Sequence, residues 1–222
     1  MQPQLDPPQT VCLLRLSAIG DTCHVVPLLR ALQRAWPNTR FTWVIGRIES
    51  RLLSLLPDVE FITVDKRAGL AGLRTLRRQL AGRRFDALLD LQVSVRASLV
   101  AACIPARLRL GFDRARAREG QWLVTNARIA AREREHVQDS FMGFARWFGI
   151  EPGTPRWDLP LPAEALAYAE RLIPTGNTLV ISPCSSHRLR NWRADRYAAV
   201  ATHAVRRHGM TVILTGGPAP LE

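Results

Sequence analysis

The sequence predicts an α/β protein in which a doubly wound parallel sheet is followed by a second unit of the same kind that is only begun. Short β-branched or Leu-rich runs alternate with longer helical patterns, which is typical of a parallel sheet with helices on its faces. The same alternation restarts after residues 151–162, a stretch with four prolines. Since 47% of the 222 residues are hydrophobic, the chain can bury a core.

The first unit is predicted to contain five strands and several amphipathic helices. One helix, Val25–Trp36, carries its apolar residues on one face and is stopped by Pro37. A second apolar face is marked by Leu70, Leu73, Leu76 and Leu80, and a third helix spans His136–Phe148. The predicted strands are Val11–Leu16, Phe41–Ile45, Phe61–Val64, Ala87–Leu91 and Arg109–Phe112.

We expect a domain over residues 1–150, a linker over 151–162 and the start of a second domain over 163–222. Some sixty residues with two strands cannot cover a parallel sheet alone. Either the sequence is truncated within a second domain, which we favour, or this unit packs on the first. Its predicted elements are the helix Ala163–Leu172, the strand Thr178–Ser182, the loop Pro183–Asn191, the helix Ala194–His208 and the strand Thr211–Thr215.

The charge is strongly positive, because 31 basic residues stand against 19 acidic ones and give a net charge of +12. Lys66 is the only lysine. This balance favours a polyanionic partner, such as nucleic acid, a phospholipid surface or a phosphorylated small molecule. Arg-rich codon usage is the alternative, and it explains the preference for Arg over Lys but not the excess of cations.

Cysteine usage and hydropathy indicate a cytoplasmic protein. The four cysteines lie far apart without CxxC spacing, which predicts reduced thiols and no structural zinc: Cys12, Cys23, Cys103 and Cys184. No apolar run approaches the roughly 20 residues that span a bilayer, and we expect no signal peptide.

The turn after the first strand, Ser17–Thr22, is the first candidate site. A turn of small residues between a strand and a helix is where doubly wound folds bind ligands. Only Gly20 stands where a dinucleotide motif needs three glycines, so a nicotinamide cofactor is disfavoured. Asp21 has two interpretations: it caps the helix, or its carboxylate takes a proton from a hydroxyl group.

Several segments together resemble glycosyltransferase family 9, the ADP-heptose:lipopolysaccharide heptosyltransferases. The match begins with Leu13–Asp21 followed by His24. The remaining matches run in order along the chain: Pro27–Leu32, Trp36-Pro37, Phe85–Gln92, Arg109–Asp113, Ala117–Glu119, His136-Val137, Ile181–Pro183, Arg190–Trp192 and Leu214–Pro218.

The resemblance implies a GT-B enzyme with two facing Rossmann-like domains, the first for the acceptor and the second for the nucleotide-sugar. It implies inverting, metal-free transfer of heptose from ADP-heptose to the Kdo of the lipopolysaccharide inner core, with no cofactor and with Asp21 as general base. Without a metal, a cation must stabilise the diphosphate. The matching residue is Arg190, where the family often has Lys. Arg188 and Ser185 are further candidates for the phosphates, with Ser182, Ser186 and His187 nearby.

For the acceptor, the resemblance implies Ser17, Gly20, Lys66, Arg67, Arg118 and His136. Two basic clusters, over residues 66–84 and 107–118, would face the phosphates and carboxylates of a Kdo–lipid A acceptor. The alternative for most of Arg74–Arg84 is an outward helix face, although exposed cations would also attract the anionic inner leaflet. His136 and Trp192 also have plain structural alternatives.

Two other functions compete with the transferase. One is a nucleic-acid-binding domain, but the basic runs lack interleaved aromatic residues and no known nucleic-acid-binding motif occurs, so we expect no nucleic-acid partner. The other is a non-catalytic remnant that binds acceptor only. Much of the family's donor recognition follows the strand that ends at Gly216-Gly217, so the enzyme and the remnant differ in whether a further Rossmann-like half follows Glu222.

Overall fold

The computed structural model describes residues 6–65, 67–173, 176–185 and 188–216. It divides into two compact units, Met1–Pro160 and Leu161–Glu222.

Unit 1 is built on a six-stranded, wholly parallel sheet. The strand order is β3-β2-β1-β4-β5-β6, the doubly wound arrangement in which the chain runs outwards in both directions from β1. In register, Leu13 lies opposite Trp43 on one side and Leu89 on the other. The strands are β1 Thr10–Leu14, β2 Arg40–Gly46, β3 Val59–Val64, β4 Phe85–Asp90, β5 Ala106–Gly111 and β6 Ala127–Arg128.

All five predicted strands are present, and the two-residue β6 was not predicted. The helices of unit 1 are α1 Ile19–Ala35, α2 Arg47–Leu53, α3 Gly69–Gln79, α4 Val95–Ala102, α5 Gln121–Val124 and α6 Val137–Trp147. Alternate residues of β1 enter two different apolar clusters, Val11 and Leu13 in one and Cys12 and Leu14 in the other. The sheet is therefore covered on both faces, as a parallel sheet requires.

Helix α1 begins at Ile19 rather than at the predicted Val25, so the second part of the predicted turn, from Ile19 to Thr22, is in fact the first helical turn. The amide of Thr22 donates to the Ala18 carbonyl at 2.9 Å, which closes that turn. Pro27 lies inside the helix and has no N–H to give to the carbonyl of Cys23. Trp157 Nε1 donates to this carbonyl instead, at 3.0 Å, so the helix tolerates the proline.

The proline-rich stretch after α6 is fastened along α1. Arg34 Nη2 donates to the Pro152 carbonyl at 2.7 Å, and Arg30 Nη2 donates to the Asp158 carbonyl at 2.9 Å. Residues 151–160 accordingly belong to unit 1.

Unit 2 contains α7 Ala163–Leu172, β7 Thr178–Ile181, α8 Ala194–His208 and β8 Thr211–Leu214. Both helices have the predicted bounds, and each strand is one residue shorter than predicted. The two strands pair in parallel, with Thr178 opposite Thr211. Within the described part of unit 2, the buried residues are Ile181 and Ala204. Across the described residues of both units, no helix has the length and apolar character needed to span a membrane.

Candidate functional site

The strand order reverses between β1 and β4, and the carboxyl ends of these two strands meet there. In open α/β sheets, this reversal leaves a crevice in which ligands bind. Residues 15–18 follow β1 and residues 91–94 follow β4, so both loops border the crevice.

Asp21 lies at this crevice, in the first turn of α1. Its Oδ2 accepts a 2.5 Å hydrogen bond from Arg15 Nη2 and a 3.2 Å hydrogen bond from the Ala18 amide. Among the described residues, no hydrogen bond reaches Oδ1, and 37% of the side chain is exposed. The residue in front of the helix is Ala18, so Asp21 supports the helix start from inside it rather than as its N-cap.

A cavity of about 320 Å³ opens in front of Asp21. The cavity is lined by two guanidinium groups, one hydroxyl group and several apolar side chains. Its other lining residues are Arg15, Val93, Phe112, Arg116, Val137, Ser140 and Phe141. The carboxylate therefore supports the start of its helix and also lines an open cavity, and its role as a proton acceptor stays a prediction.

Arg15 is the residue that fixes Asp21, and sequence reasoning did not single it out as a site residue. Its Nη1 donates to the Leu91 carbonyl at 2.6 Å, and its guanidinium lies 5.5 Å from the centre of the Phe141 ring. Burial lowers the pKa of Arg15, and the neighbouring Asp21 carboxylate opposes that shift. The cation is thus anchored to the β4 side of the crevice.

Gln92 sets the shape of the loop between β1 and α1. Its Oε1 accepts from the amides of Leu16 and Ser17 at 2.7 and 3.2 Å, and its Nε2 donates to Ser94 Oγ at 3.3 Å. Ser17, Gln92 and Ser94 also line a second cavity of about 300 Å³. Ser17 therefore borders a different cavity from the one that contains Asp21.

Gly20 is exposed, and its φ is not positive. A Cβ atom added to it would meet no heavy atom within 4 Å. Neither the backbone conformation nor packing within the described residues requires glycine here. The space beside Gly20 is open for a ligand to approach the backbone.

His136 lies at the start of α6, which packs against α1. Its Nδ1 accepts from the Gln138 amide at 3.3 Å, so it serves as the N-cap of α6. Its ring meets His24 edge-on, with the centroids 5.2 Å apart. The next residue, Val137, lines the cavity at Asp21, so His136 lies beside the site while performing a structural task.

Two arginines of the cluster over residues 107–118 make several hydrogen bonds within unit 1, and their expected acceptor role stays a prediction. Arg109 donates to the carbonyls of Ala101 at 2.5 Å, Ile104 at 2.7 Å and Val124 at 2.5 Å. Arg116 pairs with Asp113 and with Glu135, and its Nη1 donates to Ser140 Oγ at 2.8 Å. Their charges are therefore engaged by the protein itself.

The other acceptor candidates lie on the surface. Arg67 and Arg118 are exposed. Arg67 borders a groove beside α2, and Arg118 directly precedes Glu119, which lines the cavity at Ser17. Lys66 lies outside the described residues.

Asp90, the last residue of β4, was not predicted as a site residue. It is buried, and burial raises its pKa to about 7 although the Gln92 amide donates to its Oδ1 at 3.4 Å. An aspartate at the end of the apolar run Ala87–Leu91 is the signal that would have identified it.

The donor candidates lie in unit 2, in the loop that follows β7. Arg188–Arg190 forms one turn of 3₁₀ helix, and Arg190 is exposed. The Ser185 amide donates to Asn191 Oδ1 at 2.7 Å, and this hydrogen bond joins two residues six positions apart in the loop. Trp192 meets Tyr197 edge-on at 5.3 Å and is otherwise half exposed. Ser186 and His187 lie outside the described residues.

A doubly wound sheet with a carboxylate and a partly buried cation at its reversal point is typical of α/β proteins that bind ligands at the carboxyl edge of their strands. The family model described as "Glycosyltransferase family 9 (heptosyltransferase)" matches residues 73–222. The chain belongs to this family, which confirms the resemblance.

Known proteins of the same kind match nearly the whole chain. The lipopolysaccharide core heptosyltransferase OpsX of Haemophilus influenzae is 39% identical over 216 residues, which are 97% of this chain and 62% of OpsX. The chain thus spans less than two thirds of the length of this curated relative.

Solved structures match the fold. The E. coli heptosyltransferase WaaC with ADP-2-deoxy-2-fluoro heptose superposes with a TM-score of 0.75 at 23% identity, over 95% of this chain and 70% of WaaC. A family 9 glycosyltransferase from Veillonella parvula gives a TM-score of 0.77 at 22% identity, over 95% of this chain and 63% of its own. The α/β, GT-B fold class is confirmed by these matches.

Proposed function

We propose that the protein transfers heptose from ADP-heptose to the Kdo of the lipopolysaccharide inner core, with inversion and without a metal ion. Family membership and the OpsX relative support a heptosyltransferase of the lipopolysaccharide core. The observation that carries the chemistry is the Asp21 carboxylate, anchored through one oxygen in front of an open cavity.

In this mechanism the two oxygens of Asp21 have different tasks. Oδ2 is held by Arg15 and the Ala18 amide, so the carboxylate keeps its orientation. Oδ1 accepts the proton of a Kdo hydroxyl while that oxygen attacks the anomeric carbon of heptose. Attack from the face opposite the diphosphate breaks the bond to ADP and inverts the anomeric centre.

The leaving diphosphate needs positive charge because negative charge develops on its oxygens. Arg190 supplies an exposed guanidinium in the loop after β7, and its planar fork can bind two phosphate oxygens. Arg188 belongs to the same 3₁₀ turn, and Ser185 lies in the same loop. All three are assigned to the donor phosphates. Among the described residues, no group of three or more His, Cys, Asp or Glu side chains is placed to hold a metal ion.

The acceptor-binding residues in this proposal are Ser17, Gly20, Arg67, Arg118 and His136. Lys66 joins them on the resemblance alone. Arg109 is left out, because all three of its guanidinium nitrogens donate to backbone carbonyls. A cytoplasmic location at the anionic inner face of the membrane, and the absence of nucleic-acid partners, complete the proposal.

The test is a transfer assay with the full-length protein, ADP-heptose and a Kdo–lipid A acceptor. We expect Asp21→Asn to lower kcat at least about a hundredfold, the scale of a positioned base, and we expect a chelator to leave the wild-type rate unchanged. Asp58→Asn is the matched control, since Asp58 is exposed and lies at the amino edge of the sheet, beside Arg40 and Arg83.

An Asp21→Asn variant that transfers heptose at the wild-type rate would contradict the role of Asp21. A wild-type protein that binds the acceptor but transfers nothing would favour the non-catalytic alternative. The anomeric configuration of the product, read by NMR, tests inversion separately.

A further inference from the structure

The two ends of helix α1 are supported in different ways. Every residue from Val25 to Leu29 is buried, so the apolar core fixes the later part of the helix. The earlier part carries Asp21, and most of its residues are half-buried or exposed. Pro27 weakens the connection between them, because it cannot donate to the Cys23 carbonyl and its ring crowds that carbonyl. The turn that carries Asp21 therefore needs support from outside the helix.

The proline-rich residues 151–160, which we call the strap, contact α1 on both sides of this proline. After the proline, Arg34 and Arg30 hold the strap by hydrogen bonds of 2.7 and 2.9 Å to its carbonyls. Before the proline, Trp157 Nε1 donates to the Cys23 carbonyl at 3.0 Å. The strap thus connects the two parts of the helix, and its indole N–H replaces the donor that proline lacks.

The hydrogen bonds of Asp21 itself do not make this connection. Its Oδ2 is held by Arg15 and by the Ala18 amide, and both of these residues precede the helix. Within the first turn, the Thr22 amide donates to the Ala18 carbonyl at 2.9 Å. These bonds fix the carboxylate relative to the loop before α1. The hydrogen bond from Trp157, which acts two residues after Asp21, ties the same turn to the strap and through it to the later part of the helix.

We propose that Trp157 is a positioning residue for Asp21. By holding the Cys23 carbonyl, its indole N–H keeps the first turn of α1 in line with the buried part of the helix, and the Asp21 carboxylate keeps its place at the cavity. This inference rests on the proposed function, in which that carboxylate accepts a proton. A displacement of about 1 Å can slow a reaction about a hundredfold, so a residue outside the cavity can control the rate.

The experiment compares Trp157→Phe with wild type in the full-length protein. Phenylalanine keeps an aromatic ring in the strap but has no N–H, so the Cys23 carbonyl loses its partner. We expect kcat to fall at least about fivefold, with KM for ADP-heptose unchanged because the donor candidates lie in unit 2. The Thr22 amide should exchange its hydrogen with solvent at least about fivefold faster, as measured by NMR.

Trp147→Phe is the matched control. Trp147 is also partly buried, it lies at the end of α6, and its Nε1 makes no hydrogen bond among the described residues. The control variant loses the same aromatic area without losing a hydrogen bond. Its kcat and its Thr22 exchange rate should therefore equal those of wild type.

Two double variants test whether the effect passes through the Cys23 carbonyl and through Asp21. Pro27→Ala supplies an N–H that can bond this carbonyl, so Pro27→Ala/Trp157→Phe should transfer at the rate of Pro27→Ala alone. In the Asp21→Asn background, Trp157→Phe should slow the remaining transfer less than about twofold, because the group that it displaces no longer acts as a base. A residue that only stabilised the fold would slow both backgrounds alike.

A Trp157→Phe variant with the kcat and the Thr22 exchange rate of wild type would overturn the proposal. A loss of kcat that Pro27→Ala does not rescue, that is equally large in Asp21→Asn, or that Trp147→Phe shares would also overturn it. A wild-type protein that transfers nothing would count against the proposed function instead. Hydrogen exchange then decides: unchanged Thr22 exchange in Trp157→Phe overturns the proposal, and faster exchange that Pro27→Ala reverses supports it.

Discussion

The two parallel sheets of this protein are made from similar apolar strands, yet their surroundings differ. In unit 1, Leu13 of β1 and Leu89 of β4 are completely buried, because helices cover both faces of the sheet. In unit 2, Val180 of β7 and Leu214 of β8 are more than half exposed. An apolar strand is therefore stabilised by what covers it, and two strands with two helices provide little cover.

The same difference separates the charged groups of the two units. In unit 1, Asp90 is buried and Arg15 is partly buried, and the loss of solvent is the main cause of the shifts in their pKa values. Arg190 and Arg193 in unit 2 are exposed, and Arg193 pairs only with its near neighbour Asp195 among the residues that the structure describes. Unit 1 thus holds its candidate catalytic carboxylate through neighbours fixed by a packed core, whereas the donor candidates sit on a solvated loop.

The largest expected effect is on stability, and it should appear when a leucine is replaced by alanine in each of the two sheets. Leu89→Ala should lower the unfolding free energy of unit 1 by about 3–5 kcal/mol, because it opens a cavity in a packed core. Leu214→Ala, at a side chain that is 68% exposed in the 222-residue chain, should change the stability of that chain by less than about 0.5 kcal/mol. Amide hydrogen exchange of β4 and β8 measures both. Equal effects would contradict the contrast between the sheets.

A smaller effect on stability is expected from the ionisation of the buried Asp90. Its pKa rises from the ordinary 3.8 to about 7 in the folded protein, so between these values the folded state keeps a proton that the unfolded state releases. Stability should therefore fall as the pH rises from about 4 to about 7, and then level off.

Replacing Asp90 removes this dependence. The Asp90→Asn variant should gain about 2–4 kcal/mol over wild type across that pH range, at about 1.4 kcal/mol for each pKa unit. Denaturant unfolding of both proteins at a series of pH values is the measurement. A difference that stays constant with pH would show that Asp90 does not titrate there.

The fold was largely predictable because its signals are local. Apolar runs, helical faces and stop residues placed the five principal strands of unit 1 and both helices of unit 2. The start of α1 was misplaced because the small residues of Ser17–Thr22 were interpreted as a turn before the helix. The carbonyl of Cys23, which Pro27 leaves without a helical partner, accepts from Trp157, 134 residues further along the chain, and no local pattern reveals that hydrogen bond.

The candidate site was predictable only in part, because several of its contacts join residues that are far apart in the sequence. The position of Asp21 after the first strand could be read from the sequence. The tether of Gln92 to the Leu16 amide joins residues 76 apart, and the pairing of Arg116 with Glu135 depends on how α6 packs. A cluster of arginines in a sequence does not show which of them are engaged within the protein.

The smallest effect on stability, and the finest test of the site in unit 1, comes from two glycines. A Cβ would meet no heavy atom within 4 Å at either Gly20 or Gly149, but Gly149 has a φ of +76° and Gly20 does not have a positive φ. Gly149→Ala should therefore cost about 1 kcal/mol of stability through backbone strain and leave the transfer rate unchanged.

Gly20→Ala should raise the unfolding free energy by less than about 1 kcal/mol, because alanine favours a helix over glycine. It should also slow transfer at least about tenfold, because in the proposed mechanism the new methyl group would occupy open space next to Asp21 that the acceptor needs. Transfer kinetics and thermal unfolding of both variants decide between these outcomes. If Gly20→Ala transferred heptose as fast as Gly149→Ala, the open space at the start of α1 would not be part of the substrate path.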